Sequence, residues 1–276
     1  MKRRFRAEFC AIILVALCGR WLSPAYGAVV TPHRVMATTR AGMEVDVYRV
    51  GPVSAAVGIL LSSSQRGLTP GIKRWATQLG LAGYRVLVID LYGGRVYQSP
   101  AHAQAAFDAI KPQVLAAQVR VGLRLLRAPG RKLVSMGWGR FGGARALAAA
   151  LTDSGLIGGV VLYNDEHHLP SASWKLRELK APVLGLYFRD QQANGRIQSF
   201  ADAMRRAHKT FYVHYYPGSV TRALFTGPEA ARGDAVRAAW TETEGFLADT
   251  QHDCRRCAGQ TRPRPRYHRY YHHPRR

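Results

Sequence analysis

The stretch Gly137–Gly143, reading GWGRFGG, has the spacing of a turn built to carry a nucleophile, yet none of its residues can be acylated. An apolar run, Lys132–Met136, precedes it and an alanine-rich run, Ala144–Leu151, follows. A strand, a tight glycine turn and a helix in that order lift one Ser or Cys above a sheet, where backbone amides at the helix start form an oxyanion hole. Depending on register, the apex falls on Gly139, Arg140 or Phe141. Glycine amides at a helix start and one neighbouring guanidinium suit another chemistry, the holding of a carboxylate or phosphate group. If Arg140 points to solvent instead, the glycines serve close packing alone.

Three further groups carry reactive side chains. Ser62, Ser63 and Ser64 follow an apolar run at its carboxyl end, where ligands sit in open α/β sheets, so a relocated serine nucleophile is the alternative reading. Its base would be His102, His167, His168 or His214, and no spacing selects one. The competing reading of these serines is turn formation. Asp165-Glu-His-His168 has zinc-compatible types, but adjacent residues rarely converge on one ion, so it reads as a polar loop. Cys254 and Cys257 form a CxxC with no second pair to complete a zinc site, which leaves a short disulfide or free thiols. Ala258 stands where haem attachment needs His. No metal or cofactor is expected.

The elements that must position these groups alternate along the chain. Apolar runs at Val45–Val50, Val57–Leu61, Val86–Ile89, Leu133–Met136, Val160–Tyr163, Val183–Phe188 and Phe211–Tyr215 read as strands. Between them, Gly71–Leu81, Ala103–Leu126 with a break near Pro112, Gly142–Leu151, Ile197–Ala207 and Asp234–Leu247 read as helices. In the last, Val236, Trp240, Thr243 and Leu247 share a face. That alternation predicts one α/β domain with a mostly parallel sheet of about seven strands and helices on both faces. There is no internal repeat.

The ends differ from the middle. Residues 1–27 have the cationic start, short apolar centre and Ala25-Tyr-Gly27 small-residue site of an export signal, so a periplasmic or secreted protein is expected. Residues 28–250 form the domain. Residues 251–276 turn to Arg, Pro, His and Tyr, and the closing RPRPRYHRYYHHPRR holds no aliphatic residue able to offset its ordering entropy. Of the formal net charge of +23, +12 lies in the domain and +7 in this tail. The tail is therefore expected to be a mobile segment able to meet an anionic surface or polyanion.

Several short matches, in order and at consistent spacing, carry a resemblance. They are Gly67–Ile72 (GLTPGI), Leu81–Val86 (LAGYRV), Asp90-Leu-Tyr92, Leu179–Leu184 (LKAPVL), Tyr216-Pro-Gly218 and Ala238-Ala-Trp240. Over roughly residues 40–248 the chain resembles the dienelactone hydrolase family of α/β-hydrolases. The resemblance implies a monomer that opens lactones or other carboxylic esters with a Cys or Ser nucleophile, a His base and an orienting Asp, without metal. Residue by residue, most of that machinery is missing. The family's turn reads Gly-aromatic-Cys-x-Gly-Gly; Gly137-Trp138 begins it, Gly139 stands for the Cys, and Arg140-Phe141 lengthens it by one residue. An alternative register puts Arg140 at the apex. Where the family's His follows the Tyr-Pro-Gly element, Ser219–Phe225 contains none, and Thr221 or Arg222 takes its place. Ser64 stands for a Glu found beside the nucleophile, and Asp190 keeps the family identity. The expectation is an exported family member with an impaired site that binds a small anionic or ester-like ligand around Gly139, Arg140, Phe141, Ser64 and Arg222.

Overall fold

The computed structural model describes residues 31–39, 41–163, 169–188, 195–217 and 234–252. The export-signal segment, Asp165–His168, Asp190, Arg222, both tail cysteines and the tail lie outside the described residues.

One eight-stranded sheet runs in the order β1-β2-β4-β3-β5-β6-β7-β8. Its strands are β1 (His33–Thr38), β2 (Glu44–Val50), β3 (Val57–Leu61), β4 (Arg85–Asp90), β5 (Lys132–Trp138), β6 (Ile157–Tyr163), β7 (Val183–Phe188) and β8 (Phe211–Tyr216). From β4 to β8 the pairs are parallel, while β1 and β2 pair antiparallel and β2 lies antiparallel on β4. Seven strands match the apolar runs. The eighth, β1, is an edge strand whose residues alternate between exposed and half-buried. A single buried face leaves too little apolar signal to stand out in the sequence.

The inner strands are apolar along their whole length because helices cover both faces. Helices α1 (Pro70–Leu81) and α6 (Asp234–His252) pack through Ile72, Trp75, Leu79, Ala239, Phe246 and Leu247 on one face. On the other, α3 (Pro112–Leu126), α4 (Gly139–Thr152) and α5 (Gly195–Arg206) pack through Val121, Leu126, Leu147, Ala150, Phe200 and Met204. Full burial of a Leu, Ile or Phe of this kind contributes about 1.5–3 kcal/mol.

Local chemistry sets the helix starts. Thr69 caps α1 by accepting from the Ile72 amide, with Pro70 in the first turn. Ser99 and Pro100 repeat the device for α2 (Pro100–Asp108). Pro112 opens α3 where the sequence predicts a break. A proline lacks the amide an uninterrupted helix needs, so two helices form where one run was read.

The topology also fixes where a ligand sits. From β3 the chain crosses to β4 on one side and then to β5 on the other, so the connections diverge between β3 and β5. Open α/β sheets bind ligands at the carboxyl edge of that divergence. Ser62 follows β3 there and Gly139 follows β5, and the Ser62 amide donates to the Met136 carbonyl at 2.8 Å across the gap.

Candidate functional site: a strand-to-helix elbow without a nucleophile

The turn after β5 settles which residue stands at the apex. Gly139 is the first residue of α4 and has φ +59°, the left-handed conformation that strains any side-chain-bearing residue. Among the described residues, a Cβ placed on it would meet nothing within 4 Å. The apex thus presents bare backbone where a nucleophile's side chain would project. Arg140 follows inside the first turn of α4.

Gly137 and Gly142 explain the longer turn. A Cβ on Gly137 would overlap the Gly142 carbonyl and lie 2.8 Å from the Gly143 nitrogen. A Cβ on Gly142 would lie 3.2 Å from the Gly137 carbonyl carbon. Strand end and helix start therefore touch backbone to backbone, as a tight elbow requires. That contact absorbs the inserted residue while keeping the apex at Gly139.

Aromatic rings back the elbow on one side. Trp138 stacks on Tyr163 with centroids 5.4 Å apart and lies 4.9 Å from Trp75, which lies 5.5 Å from Trp240. The buried Tyr163 hydroxyl meets Thr243 Oγ1 on α6, and burial pushes its pKa well above the usual phenol range. Across the mouth, Phe141 sets its ring edge-on to Phe107 of α2 at 4.7 Å. Phe141 therefore helps to wall the mouth, joining α4 to α2.

The serines after β3 divide by environment. Ser64 Oγ donates to the Gly67 carbonyl at 3.0 Å and accepts from the Arg66 amide at 3.2 Å, so it closes its own turn. Ser63 is buried, and its Oγ has no hydrogen-bond partner among the described residues. Ser62 is the one beside the elbow, its Cβ 3.9 Å from a Cβ placed on Gly142. His102 lies exposed in the first turn of α2, where its amide donates to Ser99 Oγ, and His214 lies within β8.

The loop after β4 lies at the same carboxyl edge of the sheet. Asp90 is buried and accepts from the Tyr92 and Gly94 amides and from Arg34, which also pairs with Asp46. Arg66 grips this loop through the Tyr97 and Gln98 carbonyls, both at 2.8 Å. Tyr92 donates its hydroxyl to the Gln65 carbonyl at 2.9 Å, and burial raises its pKa to about 12 despite the opposing pull of Arg145.

Arg145 is the residue that sequence reasoning passed over. It sits on α4 near Tyr92, and its Nη1 is sealed from solvent with no partner among the described residues. Burial lowers its pKa to about 10, which still leaves the guanidinium charged at neutral pH. A sealed guanidinium nitrogen with an unmade hydrogen bond costs free energy that an incoming anion would recover. Its signal in the sequence was one arginine inside an otherwise small, apolar helical run, Gly142–Leu151. Among the described residues, no group of three or more His, Cys, Asp or Glu converges as a metal site.

A mostly parallel sheet with helices on both faces and a glycine-lined elbow at the β5–α4 junction defines an α/β-hydrolase-type protein. The sequence model of the dienelactone hydrolase family matches residues 45–250, and the chain belongs to that family. Among solved structures, it is similar to a dienelactone hydrolase-like promiscuous phosphotriesterase from metagenomic libraries at 18% identity and TM-score 0.66, covering 80% of this chain and 98% of that one. A putative dienelactone hydrolase from Klebsiella pneumoniae gives 15% identity and TM-score 0.64, covering 79% of this chain and 98% of that one. The dienelactone hydrolase from Anabaena variabilis gives 20% identity and TM-score 0.56 with the same coverages. At these identities the likeness establishes the fold. Comparison with curated protein sequences returns no match.

Proposed function

We propose that this chain is an exported, non-hydrolytic member of its family that binds a small carboxylate- or phosphate-bearing ligand at the elbow. One observation supports the reading: the left-handed apex, where acylation would occur, is a glycine that carries no side chain. Losing the nucleophile or base of a hydrolase triad costs roughly 10⁶ in turnover. Ser219–Phe225, directly after Tyr216-Pro-Gly218, supplies no imidazole either. What remains is suited to holding charge: amides at the start of a 14-residue helix, an arginine at position 140 of the sequence in its first turn, and the Arg145 guanidinium, whose sealed Nη1 has no partner among the described residues. The cationic, apolar and small-residue succession of residues 1–27 supports export.

The test pairs activity with binding. Protein lacking residues 1–27 is expected to turn over neither aryl esters nor lactones and to resist a serine-reactive fluorophosphonate. Calorimetric titration with small carboxylates should show binding that weakens at least about tenfold in Arg145→Met, the loss expected of one charged hydrogen bond. Single-site labelling at Ser62 or Ser63 together with ester turnover would replace this reading by the relocated-serine hydrolase. Equal carboxylate binding by wild type and Arg145→Met, or none by either, would remove the anion site.

A further inference from the structure

The end of the sheet opposite the elbow has an unbalanced charge pattern. Its connections 51–56, 81–85, 127–132 and 153–158 carry Arg85, Arg127, Arg131 and Lys132 with one carboxylate, Asp153, while Glu178 and Asp249 lie in the flanking connection 177–182 and in the last turn of α6. Hydrogen bonds hold these connections together. Arg131 donates from Nε to the Ala55 carbonyl at 2.8 Å, from Nη1 to Leu126 at 2.7 Å and from Nη2 to Val53, while Arg85 donates to Gly51. Among the described residues neither forms an ion pair with a carboxylate, and burial and then the neighbouring Arg49 and Arg131 lower the Arg85 pKa. Arg127, Arg131 and Lys132 border a depression of about 310 Å³ that Gly158 completes. On α3, which has no Asp or Glu, Arg120 and Arg124 carry the same sign along the exposed side. Like charges at such spacing destabilise a helix in isolation, so the pattern has a cost that an anionic partner would relieve.

Apolar side chains protrude at the same end. Val53 is 74% exposed, Leu81 60% and Leu125 38%, and the Val53 carbonyl is held by Arg131 itself. Aliphatic tips among cations fit the boundary layer of a bilayer, where apolar groups enter and cations meet phosphates. A single-stranded polyanion would instead be met by stacking aromatic rings. The last described helix also ends here: Thr250, in the last turn of α6, packs on Gly158 and Gly159. Beyond His252, residues 253–276 carry eight Arg against one Asp.

We propose that this end of the domain docks on a bilayer of anionic phospholipids, with Val53, Leu81 and Leu125 entering the headgroup layer and Arg127, Arg131 and Lys132 pairing with lipid phosphates. The proposal is independent of what the elbow binds.

Co-sedimentation of the full chain with phosphatidylcholine vesicles, alone and with about one third phosphatidylglycerol, tests it. Binding is expected to the anionic vesicles only. An Arg127→Glu/Lys132→Glu variant should lose at least about tenfold in affinity. A charge-matched Lys73→Glu/Arg74→Glu variant, altered at the start of α1 beside the elbow, should bind more tightly than that pair. Val53→Ser/Leu81→Ser should weaken vesicle binding while leaving heparin binding unchanged. Wild-type vesicle binding by the Arg127/Lys132 variant overturns the proposal, as does an equal loss in the Lys73/Arg74 control, which would mean net charge alone. Unchanged vesicle binding by the Val53/Leu81 variant also overturns it, in favour of a soluble polyanion. Melting temperatures check folding, and Arg127→Ala/Lys132→Ala replaces the Glu pair if that pair melts early.

Discussion

Alanine at Gly137 and at Gly139 separates two kinds of glycine requirement two residues apart. At Gly139 the cost is conformational. Holding a Cβ-bearing residue at φ +59° costs roughly 1–2 kcal/mol, the unfolded chain loses about 0.4–1 kcal/mol of freedom, and nothing among the described residues within 4 Å opposes the new atom. The net destabilisation is about 1 kcal/mol, a fall in Tm of roughly 2–4 °C for a domain of this size. At Gly137 the obstacle is steric: the new Cβ overlaps a backbone carbonyl of α4, and no flexible side chain can swing away. The strand end and helix must separate, at a cost of about 3 kcal/mol or more. Thermal and urea unfolding of the two alanine variants, with Gly139→Asn as a third, gives the measurement. Asn tolerates the left-handed region, so its loss should be smaller than that of Ala. A Gly139→Ala variant that melts as low as Gly137→Ala, or above wild type, would refute the assignment of Gly139 to the apex.

Other consequences are open to direct measurement. Arg145→Met should raise stability by about 1 kcal/mol in urea unfolding while it weakens carboxylate binding, because a sealed, unpaired donor is removed. Stability should hold up to about pH 10 and then fall between about pH 10 and 12. Burial raises Tyr84 and Tyr92 to about 12, so the unfolded chain releases these protons first, and protection is lost as pH climbs through the folded values. Alkaline unfolding followed by tyrosinate absorbance checks the window. Thr243→Val should cost about 1 kcal/mol, since the buried Tyr163 hydroxyl loses one partner but retains the Ala239 carbonyl at 3.3 Å.

The sheet and the chemistry of the site were not equally legible in the sequence. Val57–Leu61 and Val183–Phe188 could be read to the residue because both faces of these strands are buried, so every position is apolar. His33–Thr38 gave no comparable signal because one side of that edge strand faces water. The elbow was readable as glycine spacing, but its register was not. Choosing between Gly139 and Arg140 needed the sign of a backbone dihedral and the contact between Gly137 and Gly142. Ser64, assigned to the ligand's surroundings by its family position, spends its hydroxyl on a turn. Arg145 was invisible for a different reason: whether a helical arginine faces solvent or a sealed space depends on what the loop after β4 places against it.

Three of the five tryptophans, Trp75, Trp138 and Trp240, lie in one chain of ring contacts immediately behind Gly139, whereas Trp174 is exposed on the surface. Indoles this close exchange excitation energy and couple their near-ultraviolet transitions. The molecule therefore carries its own optical reporter at the elbow, so that an unlabelled compound settling against the glycine turn announces itself as a change in emission or ellipticity. Exposed Trp174, accessible to an aqueous quencher, supplies the internal reference.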